Sequence, residues 1–201
     1  IEHILFTQED PAHIFGKLDD PNKRPLFSMA RLDRIKNLTG LAECYGKNQE
    51  LQERCNLILV AGKLRVEESS DHEEASEIEK LYRIIDQYNL HGKIRWLGVR
   101  LPKSDSGEIY RIIADRQGIF VQPALFEAFG LTILEAMISG LPTFATQFGG
   151  PLEIIQDKVN GFYINPTHLE ETADKILEFV VGCDRNPNYW YQISQRGIDR
   201  V

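Results

Sequence analysis

Two carboxylates carry the densest chemistry in this chain. Glu127 and Glu135 are separated by seven residues in Pro123-Ala124-Leu125-Phe126-Glu127-Ala128-Phe129-Gly130-Leu131-Thr132-Ile133-Leu134-Glu135, around an expected helix start near Gly130. That spacing sets Glu127 in the loop before the helix and Glu135 well inside it, so the two can serve different parts of one ligand. The backbone N–H groups of Phe129, Gly130 and Leu131 are then expected between them. Free N–H groups at the positive end of a helix dipole favour phosphate oxygens or sugar hydroxyls. Carboxylates accept paired hydroxyl hydrogen bonds from a ribose or a hexose. Phosphate and sugars together describe a nucleotide sugar.

A second loop, Ala30-Arg31-Leu32-Asp33-Arg34-Ile35-Lys36-Asn37, carries three cations ahead of another helix. Arg31 as a planar fork and Lys36 as a point charge bracket it, so both could address one anion; ordinary surface charge near a turn is the alternative. A third loop, Gln147-Phe148-Gly149-Gly150-Pro151-Leu152-Glu153, has two glycines that would let backbone N–H groups approach a ligand closely. The histidines, at positions 3, 13, 72, 91 and 168, show no metal-ligand spacing. No phosphate-binding Gly-x-x-x-x-Gly-Lys or dinucleotide Gly-x-Gly-x-x-Gly element follows a strand. Glu67-Glu68-Ser69-Ser70-Asp71-His72-Glu73-Glu74 reads as a solvated loop and first helical turn, with acid near the positive dipole end.

Positioning three such loops requires a sheet. Short apolar runs at Leu26–Ala30, Leu57–Ala61, Ile94–Leu97, Gly118–Gln122, Pro142–Thr146 and Gly161–Ile164 read as strands. Helical patterns at Leu38–Arg54, Asp71–Tyr88, Gly107–Arg116, Leu131–Ser139 and Leu152–Gln156 alternate with them. The predicted fold is α/β: a Rossmann-like parallel sheet of about six strands with helices on both faces. Ligands bind such sheets at the strand-to-helix loops. Residues 1–24 read as a lead-in linker or short helix, 25–168 as the nucleotide-sugar-binding domain, and 169–201 as C-terminal helices.

Composition narrows the partners. A formal charge of −7 over 201 residues argues against a nucleic-acid footprint. No run reaches the 18 or so apolar residues of a membrane helix. Three cysteines without Cys-x-x-Cys pairing argue against a disulfide framework or zinc site and favour a reducing cytoplasm. The chain opens on Ile1-Glu2-His3, which suggests a piece of something longer.

The run Ser28-Met29-Ala30-Arg31-Leu32-Asp33-Arg34-Ile35-Lys36-Asn37-Leu38-Thr39-Gly40-Leu41, the Glu127–Glu135 motif and Phe148-Gly149-Gly150-Pro151-Leu152-Glu153-Ile154 together resemble the nucleotide-binding half of a retaining glycosyltransferase with the GT-B fold. Within that class the chain resembles the sucrose synthase family over about residues 25–180. Met29–Asn37 followed by Tyr45-Gly46-Lys47-Asn48 carries the narrower likeness. Sucrose-phosphate synthases, the alternative, usually have Ser-Arg-Pro-Asp-Pro-Lys-Lys-Asn where this chain has Ala30–Asn37.

The resemblance implies that Arg31 and Lys36 hold the diphosphate and that Glu135 accepts the ribose hydroxyls. Glu127, with the Ala128, Phe129, Gly130 and Leu131 segment, would face the transferred glucose, making Arg31, Lys36 and Glu127 the catalytic candidates. The implied reaction is sucrose plus nucleoside diphosphate to nucleotide-glucose plus fructose, reversibly, with anomeric retention and no obligatory cofactor or metal. It also implies an N-terminal GT-B domain for the acceptor, lying outside these residues, and a homo-oligomer in full length. Arg100 and Ser106 stand where plant-like members have a Gln and an Asn around the base, so ADP and ADP-glucose stay open beside UDP and UDP-glucose. A non-enzymatic α/β binding module is the reading from another class.

Overall fold

The computed structural model describes residues 1–99 and 103–201. Its sheet has seven strands: β1 (Ile14–Phe15), β2 (Arg24–Met29), β3 (Cys55–Val60), β4 (Ile94–Leu97), β5 (Ile119–Gln122), β6 (Thr143–Thr146) and β7 (Phe162–Ile164). The spatial order is β1-β4-β3-β2-β5-β6-β7, with all pairs parallel except β1 against β4. All six expected strands are present. Because β2 lies at the centre and the chain winds outward first to one side and then to the other, winding direction reverses between β2 and β5. Sheets of this class take their ligands beyond the strands' carboxyl ends at such a point.

The strands read as nearly continuous apolar runs because both faces of the sheet are covered. Alternation along each strand sorts side chains between two cores. Leu26, Leu57, Leu59, Trp96, Val121 and Phe144 belong to one. Phe27, Ile58, Val60, Leu97, Phe120 and Ala145 belong to the other. The first is covered by α2 (Leu38–Lys47), α4 (His72–Gln87), α8 (Leu169–Arg185) and α9 (Pro187–Arg200). The second is covered by α1 (Glu2–Phe6), α5 (Lys103–Asp115) and α6 (Leu131–Ile138).

One expected helix is two. The Leu38–Arg54 pattern divides at Asn48, whose side chain accepts from Leu51 N at 2.9 Å and starts α3 (Gln49–Arg54). Gln52 Nε2 donates to the Tyr45 and Gly46 carbonyls at the end of α2, at 3.1 and 2.9 Å. Local side-chain bonds satisfy both helix ends better than continuation would. The short α7 (Pro151–Ile154) follows the glycine pair, and a 3-10 turn spans Val66–Glu68 in the acidic stretch. Asp71 accepts from Glu73 N at 2.8 Å at the start of α4, as a solvated helix cap would.

Residues 1–18 do more than lead in: Leu5, Phe6, Ile14 and Leu18 are buried, and β1 extends the sheet past β4. The tether is Arg95 on β4, which is 1% exposed. Its guanidinium donates to Ile4 O at 2.9 and 2.6 Å, Gly16 O at 2.9 Å and Gln8 O at 2.5 Å. Five donors in a rigid fork suit carbonyls that a loop-like segment leaves open. Gly16 has a φ of +88°, and a Cβ there would meet Ile94 O at 2.2 Å, so no side chain fits the turn out of β1. The expected outcome of Arg95→Leu is loss of amide exchange protection over residues 4–18 and a stability loss of about 1–3 kcal/mol. Unchanged exchange there would show that apolar contact alone holds the segment.

Candidate functional site

Three strand ends converge on Glu127. The loop after β2 is built around Asp33, whose Oδ1 accepts from Lys36 N at 2.8 Å and whose Oδ2 pairs with the Arg31 guanidinium at 2.9 Å. Asn37 closes it in the left-handed region at φ 56°, as the residue preceding α2. Its Nδ2 donates to Pro123 O at 3.0 Å, while Leu125 N donates to Ile35 O at 2.9 Å. The loops after β2 and β5 are thereby joined to each other.

The glycine loop after β6 joins from the other side. Glu127 N donates to Phe148 O at 3.1 Å, and Gly150 N donates to Glu127 O at 2.7 Å. Gly149 has a φ of +101°, and a Cβ on it would lie 2.1 Å from Glu127 O. The glycines therefore permit close backbone approach, but to the protein's own Glu127 loop.

The side chain of Glu127 sits at the switch point between β2 and β5. Its Oε2 accepts from Lys36 Nζ at 2.7 Å and from Gln122 Nε2 at 2.8 Å. Its Oε1 accepts from Gly130 N at 3.2 Å and Phe129 N at 3.4 Å. Burial pushes this carboxyl up, but the hydrogen bond and charge of Lys36 and the two backbone N–H groups outweigh it. The net effect holds Glu127 below the ordinary carboxylate range.

One expectation changes here. The N–H groups of Phe129 and Gly130, expected to lie open between the carboxylates, already serve Glu127, because its side chain folds forward onto the backbone two and three residues on, before α6 begins. Arg31 and Lys36, expected to address one anion, have separate carboxylate partners: Asp33 for Arg31 and Glu127 for Lys36. The Arg31 side chain is 81% exposed and the Lys36 side chain 25%.

Glu135 lies one turn into α6, half-buried. Its charge, after burial, is a cause of the upward push on the Tyr110 phenol of α5. Ala128 is exposed, as are Phe129 and Leu131 at 78% and 67%. Ser106 is half-buried in the first turns of α5. Arg100 lies outside the described residues. Asp33, Asn37 and Gln122 went unassigned in sequence. The signals for them were faint: an Asp three residues before a Lys, an Asn before a helix, and one amide closing a buried apolar strand. Among the described residues no group of three or more His, Cys, Asp or Glu is placed to hold a metal ion, and all three cysteines are free and buried.

The arrangement can do two things chemically. It offers a cation that an entering anion could recruit, and it holds an ionised carboxylate where that anion's neighbours would lie. A double-mutant cycle on Lys36→Met and Glu127→Gln checks the bridge. Each single change should cost about 1–3 kcal/mol near neutral pH, and the pair less than the sum. Because the Glu127 pKa is depressed by folding, its contribution is present above the usual glutamate value of about 4.3 and is lost as pH falls through the folded value. Coupling in denaturant melts should fade accordingly. An additive cycle near neutral pH would refute the bridge.

The family model described as Glycosyl transferases group 1 matches residues 10–192. Over all 201 residues the chain is 77% identical to the sucrose synthase of Thermosynechococcus vestitus and 54% identical to that of Beta vulgaris. It spans about a quarter of the length of these curated relatives: 25% and 26%. Among solved structures, Anabaena HepE in complex with UDP-glucose superposes with a TM-score of 0.71 at 21% identity, covering 89% of this chain and 44% of HepE. That likeness bears on the fold, one Rossmann-like half of a GT-B glycosyltransferase. A family match running from before β1 into α9, on a doubly wound sheet whose switch point gathers the two-glutamate loop, means that the chain belongs to the glycosyl transferases of group 1.

Proposed function

We propose that this chain is the nucleotide-sugar-binding part of a sucrose synthase. The reaction is reversible, retaining glucosyl transfer: sucrose plus nucleoside diphosphate to nucleotide-glucose plus fructose. The observation that carries the reading is the Lys36–Glu127 bridge at the switch point, in a chain matching sucrose synthases along its whole length. Arg31 and Lys36 bind the diphosphate, Glu135 the ribose, and Glu127 with the Ala128–Leu131 segment the glucose. The resemblance to that family assigns Arg100 and Ser106 to the base. As the bond from sugar to diphosphate breaks, charge builds on the leaving oxygens. Arg31, Lys36 and the α6 terminus stabilise that charge in place, without an obligatory metal or other cofactor.

HepE, a neighbour in fold, was solved with UDP and with UDP-glucose, which supports UDP as the first nucleotide to test; ADP is the second. Sucrose, fructose and the acceptor contacts involve a further domain beyond this chain, since the curated relatives are about four times longer. The complete protein is cytoplasmic and homo-oligomeric in this reading. No helix among the described residues is long and apolar enough to cross a membrane.

Binding is read by calorimetry and thermal shift. UDP at one hundred times its Kd should add about 2.7 kcal/mol of stability. Arg31→Ala with Lys36→Ala should weaken UDP by at least about tenfold, the scale of lost charge-assisted bonds. Glu135→Gln should weaken UDP and UDP-glucose alike by about tenfold. Glu127→Gln should spare UDP, because it releases Lys36, and should weaken only sugar-dependent binding. Equal losses of UDP affinity in the two glutamate variants would overturn these roles. The chain by itself should show no sucrose cleavage, and turnover by a pure sample would overturn the need for a further domain.

A further inference from the structure

Gln122 closes β5 and is 4% exposed. Its Nε2 donates to Glu127 Oε2, yet its own Oε1 is buried with no hydrogen-bond partner among the described residues. An orphaned buried carbonyl in a folded protein calls for a reason. Here the reason is geometric. Turning the amide over would set its oxygen about as close to an ionised carboxylate oxygen as the present 2.8 Å donor contact, and two acceptors would face each other. The carboxylate therefore dictates the amide's orientation, and the carbonyl goes unpaired as a consequence.

The cation on the same oxygen is one the ligand needs. The groups that face Glu127 are Lys36 from the loop after β2, Gln122 from β5, and the Phe129 and Gly130 N–H groups at α6. Resting on the function proposed above, Lys36 must turn at least part of its charge toward a diphosphate. Oε2 is then left with the amide as its remaining donor. We propose that Gln122 is a positioning residue for glucosyl transfer, holding the Glu127 carboxylate ionised and aimed at the sugar while Lys36 is drawn to the diphosphate.

The test uses the complete enzyme with Gln122→Met, near in shape but without a donor, and Gln122→Glu, whose carboxyl can donate only when protonated. UDP affinity by calorimetry, melting temperature, and kcat and KM for sucrose cleavage are measured between about pH 5 and 8. For Gln122→Met, kcat should fall about tenfold while UDP affinity stays within about twofold, the size of one lost hydrogen bond to a charged group. For Gln122→Glu, activity should be low at neutral pH, where two carboxylates repel. It should recover relative to wild type as pH falls and the pair takes up a shared proton. A residue that only supports the fold would lower both variants alike at every pH. Wild-type kcat in Gln122→Met, or no recovery in Gln122→Glu, overturns the proposal. Should Gln122→Met fail to fold, the pH response of Gln122→Glu decides alone. Wild-type enzyme that binds no UDP would instead overturn the reading of the site.

Discussion

The contact between Lys36 and Glu127 joins the two halves of the sheet where its winding reverses. Lys36 comes from the loop after β2, and Glu127 from the loop after β5. Neighbouring parallel strands in such a sheet leave a crevice between their outgoing loops, and an unpaired charge on either side would be poorly solvated there. Pairing neutralises both. The pair's environment is intermediate, with side chains 25% and 12% exposed, so its attraction is less screened than a surface bridge's and its dehydration less complete than a fully buried pair's. Further donors from Gln122 and the α6 terminus satisfy the remaining carboxylate lone pairs, which is what makes such a buried charge tolerable.

Much of the surrounding structure holds that contact still. Asp33 shapes its loop from within, Asn37 fastens it to Pro123 O, and Ile35 O receives Leu125 N. The glycine loop presses its backbone on Glu127 from the far side, at a distance only glycine allows. A site tied by backbone bonds on three sides is preorganised, so little ordering remains to be done when ligand arrives. In the function proposed above, the Lys36 ammonium and the Arg31 guanidinium turn from their carboxylate partners toward the diphosphate. Phe129 and Leu131 stand exposed beside the Glu127 loop.

The remote edge follows a different logic. β1 is only two residues long and runs antiparallel, so its ladder contributes little by itself. Apolar burial of Leu5, Phe6, Ile14 and Leu18 and the fork of Arg95 hold it in place. Neither signal is visible locally in the sequence: the segment is polar overall, and an arginine inside Ile94-Arg95-Trp96-Leu97 looks like a break in an apolar run. The carbonyls that justify a buried Arg95 are some eighty to ninety residues away along the chain.

The central elements were legible because their causes are local. Strands buried on both faces appear as short apolar runs, helices as 3.6-residue patterns, and their alternation implies a parallel doubly covered sheet. The two glutamates, Arg31 and Lys36 were legible as chemistry because their types and spacing around strand ends and a helix start are sequence facts. What each one bonds to was not. Spacing places Phe129 and Gly130 N–H groups near a carboxylate but cannot say that Glu127 folds back onto them, and it cannot pair Lys36 with a partner 91 residues away. Gln122, an ordinary amide in sequence, became significant only when burial left its oxygen without a partner. The class of sheet and the residues able to do chemistry can be read along the chain, since periodicity and residue type act over a few neighbours. Tertiary structure decided which charges meet and which polar atoms go unpaired, because those depend on loops from three different strands converging at one point in space.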